Sequence, residues 1–164
     1  MSTPIQPGQH TAAAGTCVPQ AKQSLAGARL RRHADYQRAY AASRKRQSAS
    51  MSWFLAPQAA AGGLTPAGPR VGLTAGKVLG KAHERNRIKR RMRDILRRHV
   101  DELPAGCDLI LHPRRTVLTM EFAKLEAEVV RILSQARSEA ARLEAARIQS
   151  ELTGSAPAGG APQA

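Results

Sequence analysis

Between Lys81 and Arg98 the chain carries nine Lys or Arg and only two carboxylates, Glu84 and Asp94. Pairing at i,i+4 cannot neutralise that set, so a helix formed here carries like-charge repulsion that a polyanion would relieve. Projected at about 100° per residue, Asn86, Arg87, Arg90, Arg93 and Arg97 fall on one side, while Ile88, Met92, Ile95, Leu96 and Leu103 form an apolar stripe on the other. One helix thus offers a face to a core and a face to phosphates. A run of charge is ordinarily a solvated face, but the imbalance of sign argues against that here. A second candidate is Asp-Tyr-Gln-Arg-Ala-Tyr at 35–40, where Tyr36 and Tyr40 share one face of a short helix. Two rings so placed serve either as core packing or as a platform on which bases stack, and the residues alone leave both open.

Other chemistry finds no footing. A protein nuclease needs clustered carboxylates for metal ions or a His pair for acid–base work. The twelve Asp and Glu are scattered, and His10, His33, His83, His99 and His112 show no ligand spacing, so no catalytic residue and no metal site are expected. His99 falls on the apolar stripe and is expected to be a hydrogen-bonded core histidine. Cys17 and Cys107 form neither a disulfide framework nor a zinc spacing and are expected to be reduced thiols.

The elements that must position these residues can be read in order. Residues 1–27 are rich in Pro, Gly, Ala, Gln, Ser and Thr without periodicity, and are expected to be disordered. Ordered structure is expected from near Leu30, with the tyrosines on a first helix, followed by a basic turn at Arg44, Lys45 and Arg46. Met51, Trp53 and Leu55 alternate with Ser50, Ser52 and Phe54, the pattern of a strand with two differently lined faces. A Gly/Pro/Ala-rich connection over 57–69 leads to a second strand, where Val71, Leu73 and Ala75 alternate with Gly72, Thr74 and Gly76. The nearly bare face of that strand either admits a ligand backbone or marks a bulge. The basic helix is expected to end at Pro104. A buried strand follows over 107–112, and then a last helix N-capped by Thr119, with Phe122, Leu125, Val129, Ile132, Leu133 and Ala136 on its inner face. The expectation is one α+β domain with helices packed on a small mixed sheet, in the order α-β-β-(β)-α-β-α, the bracketed strand being a short one near the first pair.

Leu79, Ala82, Arg85, Asn86, Arg87, Ile88, Lys89, Arg90, Met92 and Arg93 resemble, position by position, the signature helix of the bacterial ribonuclease P protein subunit. Arg-Val-Gly-Leu-Thr-Ala-Gly-Lys at 70–77 is similar to the strand that leads into that helix. The resemblance covers 28–136 and leaves outside it the extension 1–27, a helix extension over 137–152 and a Gly/Ala/Pro-rich tail at 153–164. It implies a left-handed crossover through the signature helix. It further implies that an RNA subunit performs the hydrolysis with Mg²⁺, removing the 5′ leader of precursor tRNA, while the protein binds both the catalytic RNA and the leader. Carried over to this chain, the RNA-binding residues are Lys77, Arg85, Asn86, Arg87, Lys89, Arg90, Arg93 and Arg97, and the leader cleft holds Tyr36, Tyr40 and Arg85. Arg85 projects near Met92 and Leu96, so its long stem must snorkel to reach that cleft; a structural bond fixing helix to sheet is the competing role. Relatives carry two adjacent lysines where this chain has Lys77 and Val78, so the carry-over stops at Lys77.

Composition bounds these readings. The 164 residues suit one domain with a modest core, and a net charge of +14 with a pI near 11.3 points to nucleic acid or an anionic surface. No apolar run approaches the roughly 18 residues that span a bilayer, and the start shows no secretory signal, so no membrane partner and a cytoplasmic location are expected. A structural RNA-binding protein of ribosomal type would explain charge and size but not the signature. A basic-zipper DNA-binding helix is excluded by Pro104, which interrupts any heptad continuation.

Overall fold

The computed structural model describes residues 25–58 and 68–154. In chain order they form α1 (His33–Ala42), β1 (Arg46–Gln47), β2 (Met51–Pro57), β3 (Arg70–Leu73), α2 (Ala82–Arg98), β4 (Cys107–Pro113) and α3 (Phe122–Gly154), with 3-10 turns at Lys77–Leu79, Val100–Glu102 and Arg115–Leu118. The architecture is α+β, and the four strands make one mixed sheet in the order β1-β2-β4-β3. β1 is the short extra strand, with Arg46 opposite Trp53. β2 and β4 pair antiparallel with Trp53 opposite Leu111 and Phe54 opposite Ile110. β3 and β4 pair parallel with Val71 opposite Leu109, an arrangement no hairpin can make, and α2 is the crossover between them.

The period-2 alternation of the strands sorts their residues onto two faces. Met51, Trp53, Leu55, Val71, Leu109 and Leu111 meet Ile88, Met92, Ile95 and Leu96 of α2 and Leu125, Val129, Ile132, Leu133 and Ala136 of α3 in the main core. The opposite face carries a smaller cluster, in which Ala56, Ile110 and Phe54 pack with Leu30, Ala39, Tyr36 and Tyr40. The sheet therefore lies between α1 on one side and α2 with α3 on the other.

Two buried carboxylates tie helices to sheet. Asp108 of β4 receives Arg70 Nε at 2.7 Å and Arg70 Nη2 at 2.9 Å, and Arg38 of α1 donates to it at 3.4 Å and to Asp35 at 2.8 Å. Glu128 of α3 accepts from the Ser50 amide at 2.8 Å, from Ser50 Oγ at 2.7 Å and from Ser48 Oγ.

Several boundaries differ from the sequence reading, β3 among them, which ends at Leu73 and not at Gly76. α2 ends at Arg98, not at Pro104: His99 caps it, and Val100–Glu102 tighten into a 3-10 turn. The His99 ring bonds Glu102 at 2.8 Å and Glu126 at 3.2 Å, which ties the 3-10 turn and α3 to the end of α2. Leu103 still reaches the core from beyond the helix. Thr119 does not cap α3; its hydroxyl donates to the Thr116 carbonyl, and the Glu121 carbonyl accepts the first bond of the helix. The Arg91 guanidinium holds the Val117, Leu118 and Met120 carbonyls, which keeps that stretch in a turn. Ordered chain also reaches back to a turn at 25–28, with Leu25 and Ala28 against the main core, and α3 continues as helix through 137–152. The expected disorder over 1–24 and the tail from 155, like Cys17, lie outside the described residues.

Candidate nucleic-acid interface

α2 separates its basic residues by function. Arg91 is spent on the carbonyls before α3, and Arg98 pairs with Asp94 at 3.2 Å and Glu126 at 3.5 Å while its guanidinium lies 4.9 Å from the Phe122 ring. Neither belongs to the outward row. Asn86, Arg87, Arg90 and Arg97 are exposed, Lys89 and Arg93 half-buried, and none of the ion pairs among the described residues uses Arg87, Lys89, Arg90, Arg93 or Arg97. The helix start is secured by Glu84, which accepts from the Lys81 amide at 2.7 Å and from Arg115 at 2.9 Å. The amide bond, followed by Arg115 and His83, lowers the Glu84 carboxyl. Lys77 is exposed in the turn before the helix, and Val78 beside it is 97 % exposed.

On the other side of the sheet α1 places Tyr36 and Tyr40 over β3 and β4. A Cβ on Gly72 would lie 2.8 Å from the Tyr36 ring, so glycine there lets Tyr36 settle directly on β3. The space left by that bare position is filled by a side chain of the chain itself. Burial pushes the Tyr36 phenol above its usual range, with the Leu73 backbone and Arg29 opposing it and Tyr40 adding to it. Tyr40 shares a hydrogen bond of 2.9 Å with His112 Nε2 and lies 3.4 Å from Thr74 Oγ1. Its ring meets Phe54 edge-on at 5.0 Å and His112 at 5.6 Å, with Phe54 and His112 5.3 Å apart. Burial, then the Lys45 charge, holds His112 below its usual 6.5, so the ring is neutral at neutral pH.

The tyrosines thus belong to a half-buried aromatic floor that also contains Phe54 and His112, which sequence reasoning did not select. Strand parity was the available signal, since both point away from Trp53 and Leu111. Arg85 stands apart from the cleft edge at Tyr36. That edge is lined by Arg93 and Arg97 from α2 together with Arg29 and Arg31. Arg85 is half-buried, and its shielded Nε has no hydrogen-bond partner among the described residues. Burial also sends the Cys107 thiol up to about 11, with Asp108 adding to the effect, which leaves it protonated. No helix among the described residues is long and apolar enough to cross a membrane.

A family model described as Ribonuclease P matches residues 26–137. The ribonuclease P protein component of Chloroflexus aggregans is 36% identical over 109 residues, covering 66% of this chain and 76% of that protein. The corresponding component of Thermobifida fusca is 35% identical over 106 residues, covering 62% and 70%. Among solved structures, the RNase P protein of Staphylococcus aureus superposes with a TM-score of 0.56 at 23% identity, covering 67% of this chain and 95% of its own. That of Thermotoga maritima gives 0.55 at 23% identity, covering 65% and 96%; these two likenesses speak to the fold. The match takes in α1, the whole sheet, α2 and the packed part of α3, and the chain belongs to the ribonuclease P protein family.

Proposed function

We propose that this chain binds the catalytic RNA of ribonuclease P through the outer face of α2 and holds the 5′ leader of precursor tRNA against the α1 side of the sheet. The ribonucleoprotein then cleaves the leader endonucleolytically and generates the mature 5′ end. The observation that carries the reading is the row Arg87, Lys89, Arg90, Arg93 and Arg97, which takes part in no ion pair among the described residues, on a helix where Arg91 and Arg98 are engaged by carbonyls and carboxylates. Guanidinium groups presented without carboxylates suit phosphate, and such contacts position an RNA without reading its sequence. Asn86 and Lys77 extend that surface, and Tyr36 and Tyr40 form the leader side; Arg85, on the other face of the sheet, is left to the α2 surface.

Among the described residues no group of His, Cys, Asp and Glu is placed to hold Mg²⁺, and the buried carboxylates are engaged, Asp108 by arginines and Glu128 by serines. In this reading the Mg²⁺ belongs to the RNA partner, which supplies the hydrolytic chemistry, while this chain binds and orients. Maturation of tRNA places the assembly in the cytoplasm. The test compares holoenzyme affinity for precursor and mature tRNA. Tyr36→Ala is expected to cost about 1–3 kcal/mol on the precursor alone, whereas equal weakening of both substrates would return the tyrosine to a purely structural role.

A further inference from the structure

A groove at the edge of the sheet lies between those two surfaces and brings in Arg29 and Arg31, which neither of them uses. The Leu30 amide donates to the Val71 carbonyl at 2.9 Å and the Val71 amide to the Ala28 carbonyl at 2.6 Å, which adds the 28–30 segment to the outside of edge strand β3. This backbone pairing makes the segment one wall of an open cleft of about 270 Å³ whose other wall is α2. Arg29 and Arg31 project from the first wall, Arg93 and Arg97 from the second, and Tyr36 also lines it. No carboxylate lines the cleft, and none of the four arginines takes part in an ion pair among the described residues. Its volume falls just under the usual range for small-molecule sites, which suits a segment of a strand passing through better than an enclosed ligand.

We propose that this groove is a phosphate-binding site for single-stranded RNA, in which Arg29 and Arg31 face Arg93 and Arg97 across the backbone and Tyr36 supports the adjoining base. The strand passes round the β3 edge and joins the α1 side of the sheet to the outer face of α2. Either the leader or a single-stranded part of the catalytic RNA supplies that phosphate, and the identity of the strand, though not the site, rests on the reading of Tyr36 given above.

The experiment uses the full-length protein and an Arg29→Ala/Arg31→Ala variant. Affinity is measured over a KCl series for a short labelled single-stranded RNA of leader sequence and for the catalytic RNA. Both side chains are exposed, the segment is held by its backbone bonds to Val71, and the one side-chain bond, from Arg31 to the Ala26 carbonyl at 3.4 Å, is long and exposed, so the melting temperature should be nearly unchanged. An Arg29→Lys/Arg31→Lys variant, which keeps the charge, should recover most of the affinity. The slope of log K against log salt should fall by roughly 0.7 for each single-strand phosphate that the alanine variant no longer neutralises. A fall with the leader RNA identifies the strand as leader; a fall with the catalytic RNA alone identifies it as catalytic RNA. In the second case, an unchanged leader affinity for Tyr36→Ala would end the leader reading while the groove stands. Unchanged slopes with both RNAs overturn the proposal. So does an equal fall for Arg137→Ala/Arg142→Ala, which removes the same charge from α3.

Discussion

Asp108 joins β3 and α1 on the side of the sheet proposed to hold the leader, since one buried carboxylate answers both Arg70 and Arg38. Breaking a buried pair leaves its partner uncompensated. Asp108→Asn should therefore cost roughly 3 kcal/mol in denaturant unfolding, the lower end of the usual range because Arg70 keeps some contact with water. Tyr40 and His112 give a residue-scale prediction in pH. Burial lowers the imidazole, so the unfolded chain binds its proton first as pH falls. Its stabilising contribution is complete above the unfolded value of about 6.5 and is lost as pH falls through the lower folded value. Stability measured against pH should show that loss in the native protein and not in His112→Gln. The tyrosine pair was legible because i,i+4 spacing is local. The partners were not: Arg38 and Asp108, or Tyr40 and His112, are brought together by the sheet across some seventy residues of sequence.

Within α2, helical projection separated the core stripe from the basic face, and Ile88, Met92, Ile95 and Leu96 are buried as their spacing requires. Projection could not tell Arg91 from Arg90, because the carbonyls that occupy Arg91 come from the turn before α3. The two should behave oppositely. Arg90→Ala is expected to leave the melting temperature unchanged and to reduce the salt slope for catalytic RNA by roughly 0.7 to 0.9, the value for one phosphate. Arg91→Ala is expected to cost roughly 2–3 kcal/mol by stranding those carbonyls. The start of α3 was misplaced for the same reason, since Thr119 is a good cap by type but Arg91 holds its neighbours in a turn. At Glu128 burial alone would raise the carboxyl, but the bonds from Ser48 and Ser50, with Arg131, outweigh it and hold it below 4.5. Its contribution is present above the unfolded value and is lost as pH falls through the folded one. Glu128→Gln should be less stable at neutral pH and should show a shallower acid limb in a pH series of unfolding curves.

At the scale of the molecule, the order of elements was legible from apolar periodicity and punctuating Gly and Pro. The parallel pairing of β3 with β4 was available only through the crossover that the family resemblance implies, since a helix between two strands is compatible with more than one pairing. The two sides of the sheet were harder to read, because alternation states which residues share a face and not which helix covers it. Arg29 and Arg31 went unnoticed for that reason, their significance arising only when 28–30 joins β3 opposite α2. The charge of +14 suits an RNA-binding protein of any kind, so charge cannot separate a ribonuclease P subunit from an architectural binder of ribosomal type. Cleavage can. The most direct measurement is the rate at which a bacterial catalytic RNA removes the leader from precursor tRNA at low Mg²⁺, with and without the full-length protein. The protein should raise the rate with the RNA present and produce no cleavage by itself. A rate unchanged by added protein, or leader removal by the protein alone, would contradict it.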